Sequence, residues 1–289
     1  MTTSLPNVAV IGAGTMGHGI AYVAALAGCR VAITDADAGQ LARACGQIER
    51  AFGKAIERAK CTPAQRDAAL ARLTAAPTVD ECVTDANLVI EAIPEQLAMK
   101  QRLFADVEQV VHRDTVLASN TSSLSITEIG RPLRHPERML GMHFFNPVPA
   151  MALIEIVRGE ATAAEAIDRA RAFARLVGKE AIVVRDSPGF ATSRLGVVLG
   201  LEAIRMVEQG VATAEDIDQA MVLGYRHPVG PLRLTDMVGL DVRLAIADHL
   251  HATLREATYR APALLRQKVA RGELGKKSGQ GFYRWENER

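Results

Sequence analysis

Residues 140–157 read LGMHFFNPVPAMALIEIV, an apolar run that carries His143 and Glu155 twelve positions apart. A segment built only to fill a core has no use for either group. Two strand-like pieces, RMLGMHFF and MALIEIV, flank a turn that contains Pro147 and Pro149, and that layout can fold Glu155 back beside His143. A carboxylate next to an imidazole holds the ring in one tautomer and stabilises its protonated form. Oxidation of an alcohol by hydride transfer needs a base to take the hydroxyl proton, and the imidazole is suited to that task. In isolation such a histidine reads as a satisfied core group; what turns the pair toward catalysis is a second signal upstream.

That signal is VAVIGAGTMG, which places Gly12, Gly14 and Gly17 in a G-x-G-x-x-G turn. The pattern has its required setting: an apolar strand before it, a helical pattern after it, and Asp35 at the end of the following strand. Gly12 permits the tight turn, Gly14 admits a pyrophosphate to the backbone, and Gly17 lets the helix approach the strand. Thr15 and Met16 complete the candidate cofactor turn. The helix N-terminus offers its unpaired N–H groups to the phosphates. Asp35 would accept bonds from the adenosine ribose and repel a 2′-phosphate. Ala36 and Asp37 follow with no arginine at hand, so NAD is expected over NADP. FAD proteins open in the same way, and the turn alone does not fix the cofactor. His18 reads as a helix-surface residue.

Strand-like and helical stretches alternate around these residues. Apolar runs at RVAITD, ANLVIEAI, TVLASN, RMLGMHFF, MALIEIV and EAIVVRD are separated by helical patterns at 36–60, from Pro63, at 97–111 and at 162–177. This alternation predicts a parallel sheet covered on both faces. After RDSPGF the strands stop and helical periodicity dominates, with Gly210 closing one helix and Thr213 capping the next. The expected fold is an α/β, Rossmann-type NAD-binding domain over 1–186, followed by a smaller all-α substrate and dimerisation domain over 187–289, with the active site in the cleft between them.

Composition narrows the function class. The 289 residues carry a formal net charge of +1 with Lys and Arg mixed among Asp and Glu, which argues against a nucleic-acid or anionic membrane partner. No stretch is long and apolar enough for a membrane span, and the N-terminus runs into a strand without the layout of an export signal. A cytoplasmic protein is expected. Cys29, Cys45, Cys61 and Cys82 form no C-x-x-C pair and read as free thiols, with no metal site and no disulfide framework.

The chain resembles the 3-hydroxyacyl-CoA dehydrogenase family, including bacterial 3-hydroxybutyryl-CoA dehydrogenases, over nearly its whole length. The resemblance is carried by VIGAGTMGHGIA, LVIEAIPEQLAMK, ASNTSSLSI, GMHFFNPVPAMALIEIV, DSPGF, EDIDQAM, PVGPLRLTDMVGLD and LGKKSGQGFY, in that order. It implies His143 as the catalytic base and Glu155 as its partner. It implies Ser122 as the group that meets both the substrate oxygen and the cofactor, and Asn146 as a residue beside the nicotinamide. Glu95, Lys100 and Lys277 are implied cofactor contacts, and Lys54 and Arg58 implied contacts of coenzyme A; without the resemblance these two would read as a solvated helix face. It also implies a homodimer through the C-terminal domain.

One position departs from the family pattern. PGF is often followed three residues on by Asn near the substrate, whereas this chain has Ser193, a donor of shorter reach. The acyl group is left open between short-chain 3-hydroxybutyryl-CoA and dicarboxylic 3-hydroxyadipyl-CoA. Two other readings stand beside this one: a dehydrogenase of a free hydroxy acid or sugar acid, such as L-gulonate 3-dehydrogenase, and a crystallin-like protein that holds NAD without turnover. Retention of His143, Glu155, Ser122 and Asn146 argues against the second.

Overall fold

The computed structural model describes residues 6–285; the first five and last four residues, which the sequence assigns to the ends of the two domains, lie outside the described residues. Contacts divide the chain into two units, Met1–Ser187 and Pro188–Arg289.

The first unit holds β1 (Asn7–Ile11), α1 (Thr15–Leu26), β2 (Arg30–Thr34), α2 (Ala38–Glu57), α3 (Pro63–Leu70), β3 (Leu73–Ala75), α4 (Val79–Val83) and β4 (Leu88–Glu91). It continues with α5 (Leu97–Val110), β5 (Val116–Ser119), α6 (Ile126–Gly130), β6 (Met139–Phe144), β7 (Leu153–Arg158), α7 (Ala164–Leu176) and β8 (Glu180–Arg185). The eight strands form one sheet in the order β3-β2-β1-β4-β5-β6-β7-β8. Every neighbouring pair is parallel except β6 and β7, which are antiparallel. The expectation of a parallel sheet therefore holds with one reversal, at the proline-bearing turn. The order β3-β2-β1-β4-β5 turns around at β1/β4, the kind of switch point where open α/β sheets bind ligands beyond their strand ends.

Local chemistry explains the elements. α2 buries Leu41, Ala44, Ile48, Phe52 and Ala55 at helical spacing, and Asp37 caps its start by accepting from the Gly39 amide at 2.8 Å. α3 opens on a reciprocal Thr62–Gln65 capping box with Pro63 in its first turn. Tyr22 of α1 packs on Phe52 with ring centres 4.6 Å apart. The short strand β3 and helix α4 escape the sequence reading because neither carries enough periodic residues to rise above a loop.

The second unit contains α8 (Thr192–Glu208), α9 (Ala214–Gln219), α10 (Pro231–Val238), α11 (Leu240–Leu254) and α12 (Ala263–Ala270). Thr213 caps α9 by accepting from the Asp216 amide, and a π-helical turn at Ala220–Gly224 follows. Its core gathers Val197, Leu201, Ile204, Leu232, Leu250 and Leu265. Asp236 is fully buried and accepts from the Phe282 and Tyr283 amides and from Trp285 Nε1, each at 2.9 Å. These bonds fasten the closing GQGFYRW segment to α10.

Candidate active site

The nucleotide turn is held by backbone geometry that only glycine supplies. Gly12 has φ +98°, and a Cβ there would meet the Ala92 carbonyl at 2.6 Å. A Cβ on Gly17 would lie 1.7 Å from the Gly12 oxygen, so Gly17 sets the close approach of α1 to β1. At Gly14 a Cβ meets nothing within 4 Å; it would project into open space at the mouth of the helix. α1 begins there without a side-chain cap, which leaves its first N–H groups for an anion.

A cleft of about 950 Å³ opens at this point, lined by Gly12, Gly14, Thr15, Met16 and Asp35. Asp35 Oδ2 accepts from the Ala13 amide at 2.7 Å and Oδ1 from the Asp37 amide at 2.9 Å. The carboxylate is thus braced by the turn it serves, with lone pairs remaining for sugar hydroxyls. Gln40 adds a bond from Nε2 to the Ala13 carbonyl at 2.9 Å. His18 is half-buried, with Nδ1 2.8 Å from the Gly14 carbonyl, rather than lying free on the helix surface. The sequence reading places no arginine here, whereas Arg102 of α5 lines the same cleft and Arg43 pairs with Asp37 at 3.1 Å. Arg43 stands in α2, soon after Asp35, whereas Arg102 comes from α5, well removed from it in sequence. The size, the open Gly14 and the braced Asp35 fit a dinucleotide.

His143 and Glu155 face each other as register partners across the antiparallel pair β6–β7. His143 Nδ1 lies 2.8 Å from Glu155 Oε2. Glu155 is completely buried and His143 is 7% exposed, and the Phe145 ring stacks obliquely at 4.3 Å from the imidazole. Asn120, at the end of β5, accepts from the Phe144 amide at 2.9 Å and ties the neighbouring strand end to the histidine. The sequence shows Asn120 only as part of a Ser-Asn-Thr run after a strand; its task becomes visible once β5 and β6 are adjacent.

Ser122 stands in the loop after β5. Its amide donates to Glu95 Oε1 at 3.0 Å, and the same oxygen accepts from the Thr121 hydroxyl and the Ser123 amide. Burial disfavours the Glu95 charge, but the bonds from Thr121, Lys100 and Ser122 outweigh it and hold the carboxyl below its ordinary range. Lys100 lies behind Glu95: it is 1% exposed and reaches Glu91 at 2.5 Å and Glu95 at 3.3 Å. Asn146 is exposed at the head of the β6–β7 turn.

Lys54 and Arg58 line a second cleft of about 630 Å³ together with Lys60 and Lys179. One wall is the Pro149–Ala152 segment of the turn that starts beside His143. Lys179 donates to the Val148 and Met151 carbonyls, and burial pulls its ammonium below the usual lysine range. In the C-terminal unit Ser193 lies in the first turn of α8, and Lys277 forms an ion pair with Asp241 at 2.6 Å.

The sequence profile described as 3-hydroxyacyl-CoA dehydrogenase, NAD binding domain, matches residues 7–187, and the profile of the C-terminal domain of the same family matches residues 189–285. The chain belongs to the 3-hydroxyacyl-CoA dehydrogenase family. A 3-hydroxybutyryl-CoA dehydrogenase of Mycobacterium tuberculosis is 44% identical over 285 residues, 98% of this chain and 99% of the relative. The crystal structure of (S)-3-hydroxybutyryl-CoA dehydrogenase from Ralstonia eutropha superposes with a TM-score of 0.94 at 37% identity, covering 98% of this chain and all of the other. A 3-hydroxyadipyl-CoA dehydrogenase of Escherichia coli is 41% identical over the whole of this chain, which spans 61% of that longer relative.

The four cysteines are unpaired, and burial pushes Cys29 up to about 11 and Cys82 up to about 12, so these thiols stay protonated. Among the described residues no helix is long and apolar enough to cross a membrane.

Proposed function

We propose that the chain, an NAD-dependent oxidoreductase of the 3-hydroxyacyl-CoA dehydrogenase family, acts on short-chain L-3-hydroxyacyl-CoA through the His143–Glu155 pair. The observation that carries this reading is the 2.8 Å bond between His143 Nδ1 and a fully buried Glu155 carboxylate. With Nδ1 fixed in that way, proton exchange with the substrate passes through Nε2. His143 takes the proton of the 3-hydroxyl during oxidation and returns it to the oxygen during reduction. Glu155 holds the ring and offsets the charge it acquires. NAD, bound at the Gly12–Gly17 turn with Asp35 on its ribose, supplies the hydride acceptor. Ser122 and Asn146 hold the reacting oxygen and the nicotinamide end, with Glu95 fixing Ser122 and Lys100 behind it.

Coenzyme A carries phosphates, and the cleft of Lys54, Arg58, Lys60 and Lys179 has no acidic residue in its lining. That supports the thioester over a free hydroxy acid. Ser193 and Lys277 complete the proposed substrate and cofactor contacts from the C-terminal unit. The same unit leaves Leu195, Leu223, Tyr225 and Met237 at 64%, 76%, 76% and 53% exposure, which supports a homodimer through it. The cytoplasm, where thiols remain reduced, is the proposed compartment.

The deciding experiment is a substrate panel with NAD: 3-hydroxybutyryl-CoA, 3-hydroxyadipyl-CoA, longer 3-hydroxyacyl-CoA esters, and the free acids including L-gulonate. Turnover confined to the thioesters is expected, with the short chain preferred. Higher efficiency on a free acid would overturn the substrate class.

A further inference from the structure

β4 ends in a carboxylate where its burial calls for an apolar side chain. All four of its residues are buried, and Glu91, the last, has no exposure at all. Both of its oxygens have partners. Oε1 accepts from Lys100 Nζ at 2.5 Å and from the Ile93 amide at 2.7 Å, and Oε2 from the Ser119 hydroxyl at 2.6 Å. A carboxylate withdrawn from water is retained only where such partners are complete. A leucine would fill the same strand end with none of these requirements.

The bonds run in one direction across the strand ends. Glu91 holds Lys100; Lys100, 1% exposed, reaches on to Glu95 Oε2 at 3.3 Å. The other oxygen of Glu95 then collects the Thr121 hydroxyl, the Ser122 amide and the Ser123 amide. Ser119, which grips Glu91, opens the same loop and also accepts from the Thr121 amide at 3.3 Å. The loop of Ser122 is therefore held at both ends by one chain of ions and hydroxyls rooted in Glu91.

We propose that Glu91 is a positioning residue for the reaction: by dividing the Lys100 ammonium between itself and Glu95, it sets where Ser122 stands. With Glu91 neutral, Lys100 would be drawn wholly to Glu95, and the carboxylate would be pulled from the Thr121–Ser123 segment. The inference rests on the reading of Ser122 as a group that meets the reacting oxygen, and it adds a residue that touches neither substrate nor cofactor. Coupled charged networks of this kind are apportioned only by double-mutant comparison.

The test is steady-state kinetics on the full-length enzyme with NAD and 3-hydroxybutyryl-CoA for Glu91→Gln, Ser122→Ala and the double variant, with thermal unfolding measured in parallel. Glu91→Gln is expected to lower kcat roughly ten- to a hundredfold, the effect of misplacing a reacting partner by a fraction of a bond length, with KM for the thioester unchanged. In the Ser122→Ala background the same substitution should change kcat by less than about twofold, because its effect passes through Ser122. Glu91→Gln/Lys100→Met should recover part of the loss of Lys100→Met alone, since no buried carboxylate is then left without a counter-ion. Should Glu91→Gln fail to fold, Ser119→Ala removes one grip on the carboxylate while leaving every charge in place, and its smaller loss of kcat should likewise vanish in Ser122→Ala. A Glu91→Gln enzyme with a lowered Tm and an unchanged kcat would overturn the inference and leave the pair a fold stabiliser. Multiplicative losses in the double variant would do the same. Wild-type kcat in Ser122→Ala would instead remove the reading of Ser122, and the inference with it.

Discussion

Glu155→Gln changes charge and little else. The side chain keeps its length at a site with no solvent exposure, opposite His143 Nδ1 at 2.8 Å. At that separation the attraction between an imidazolium and a carboxylate is about 6 kcal/mol for an effective dielectric of about 20. The solvation given up by burying the carboxylate takes back most of it. What remains is the difference between a charge-assisted bond and a neutral one, about 1.5 kcal/mol. That difference operates only after the ring has accepted the substrate proton, so it falls on kcat, as a loss of about tenfold. If the amide turns its N–H toward Nδ1, the ring is held in the wrong tautomer and the loss deepens toward roughly 10⁴. His143→Ala should lower kcat by roughly 10²–10⁴. The double variant should be little slower than His143→Ala, because Glu155 acts through the imidazole. The assay is reduction of NAD by 3-hydroxybutyryl-CoA, with NADH affinity taken from a fluorescence titration and expected to stay constant. Wild-type kcat in Glu155→Gln would refute this account, and so would losses that multiply in the double variant.

Asp35→Ala should shrink a preference for NAD over NADP of at least about tenfold, ~1.4 kcal/mol, chiefly by raising kcat/KM with NADP; equal wild-type efficiency with both cofactors would remove the argument. Lys54→Ala and Arg58→Ala should each raise KM for the CoA ester roughly fivefold, an exposed charge pair being worth up to about 1 kcal/mol, and leave KM for a substrate lacking the nucleotide phosphates unchanged. Glu108→Ala strands the buried Arg138 guanidinium that it meets at 3.2 Å, and denaturant unfolding should show a loss of about 3–5 kcal/mol. Burial pushes the Glu108 carboxyl up, but the Arg134 and His135 amides and Arg138 outweigh it and leave it below the usual range. Its contribution is therefore complete above the unfolded carboxyl value of about 4.3 and fades as pH falls through the lower folded value; wild type should lose stability in acid across that window, and Glu108→Ala should lose less.

Much of the architecture is visible in the chain because period and punctuation agree. The Gly12–Gly17 turn, the amphipathic α2 and the Thr213 cap each declare themselves within a few residues. His143 and Glu155 are legible because a charged pair stands out in LGMHFFNPVPAMALIEIV. What the sequence conceals depends on adjacency between distant segments. Asn120 looks like a turn residue until β5 lies against β6 and its side chain meets the Phe144 amide. Glu91 looks like the polar end of a strand until Lys100, nine residues on, is found buried upon it. Arg102 enters the nucleotide cleft from a helix far from Asp35 in sequence. The three-residue β3 offers too little pattern to be read without its partner β2.

The most direct test is a single-turnover experiment with enzyme-bound NAD and L-3-hydroxybutyryl-CoA, comparing wild type with His143→Ala at matched NADH affinity. Wild type is expected to form the 3-keto thioester with one reduced nicotinamide per thioester, and the variant to do so at a rate lower by roughly 10²–10⁴. Wild-type protein that binds NADH tightly yet oxidises no 3-hydroxyacyl thioester, or a His143→Ala protein that turns over as fast as wild type, would contradict it.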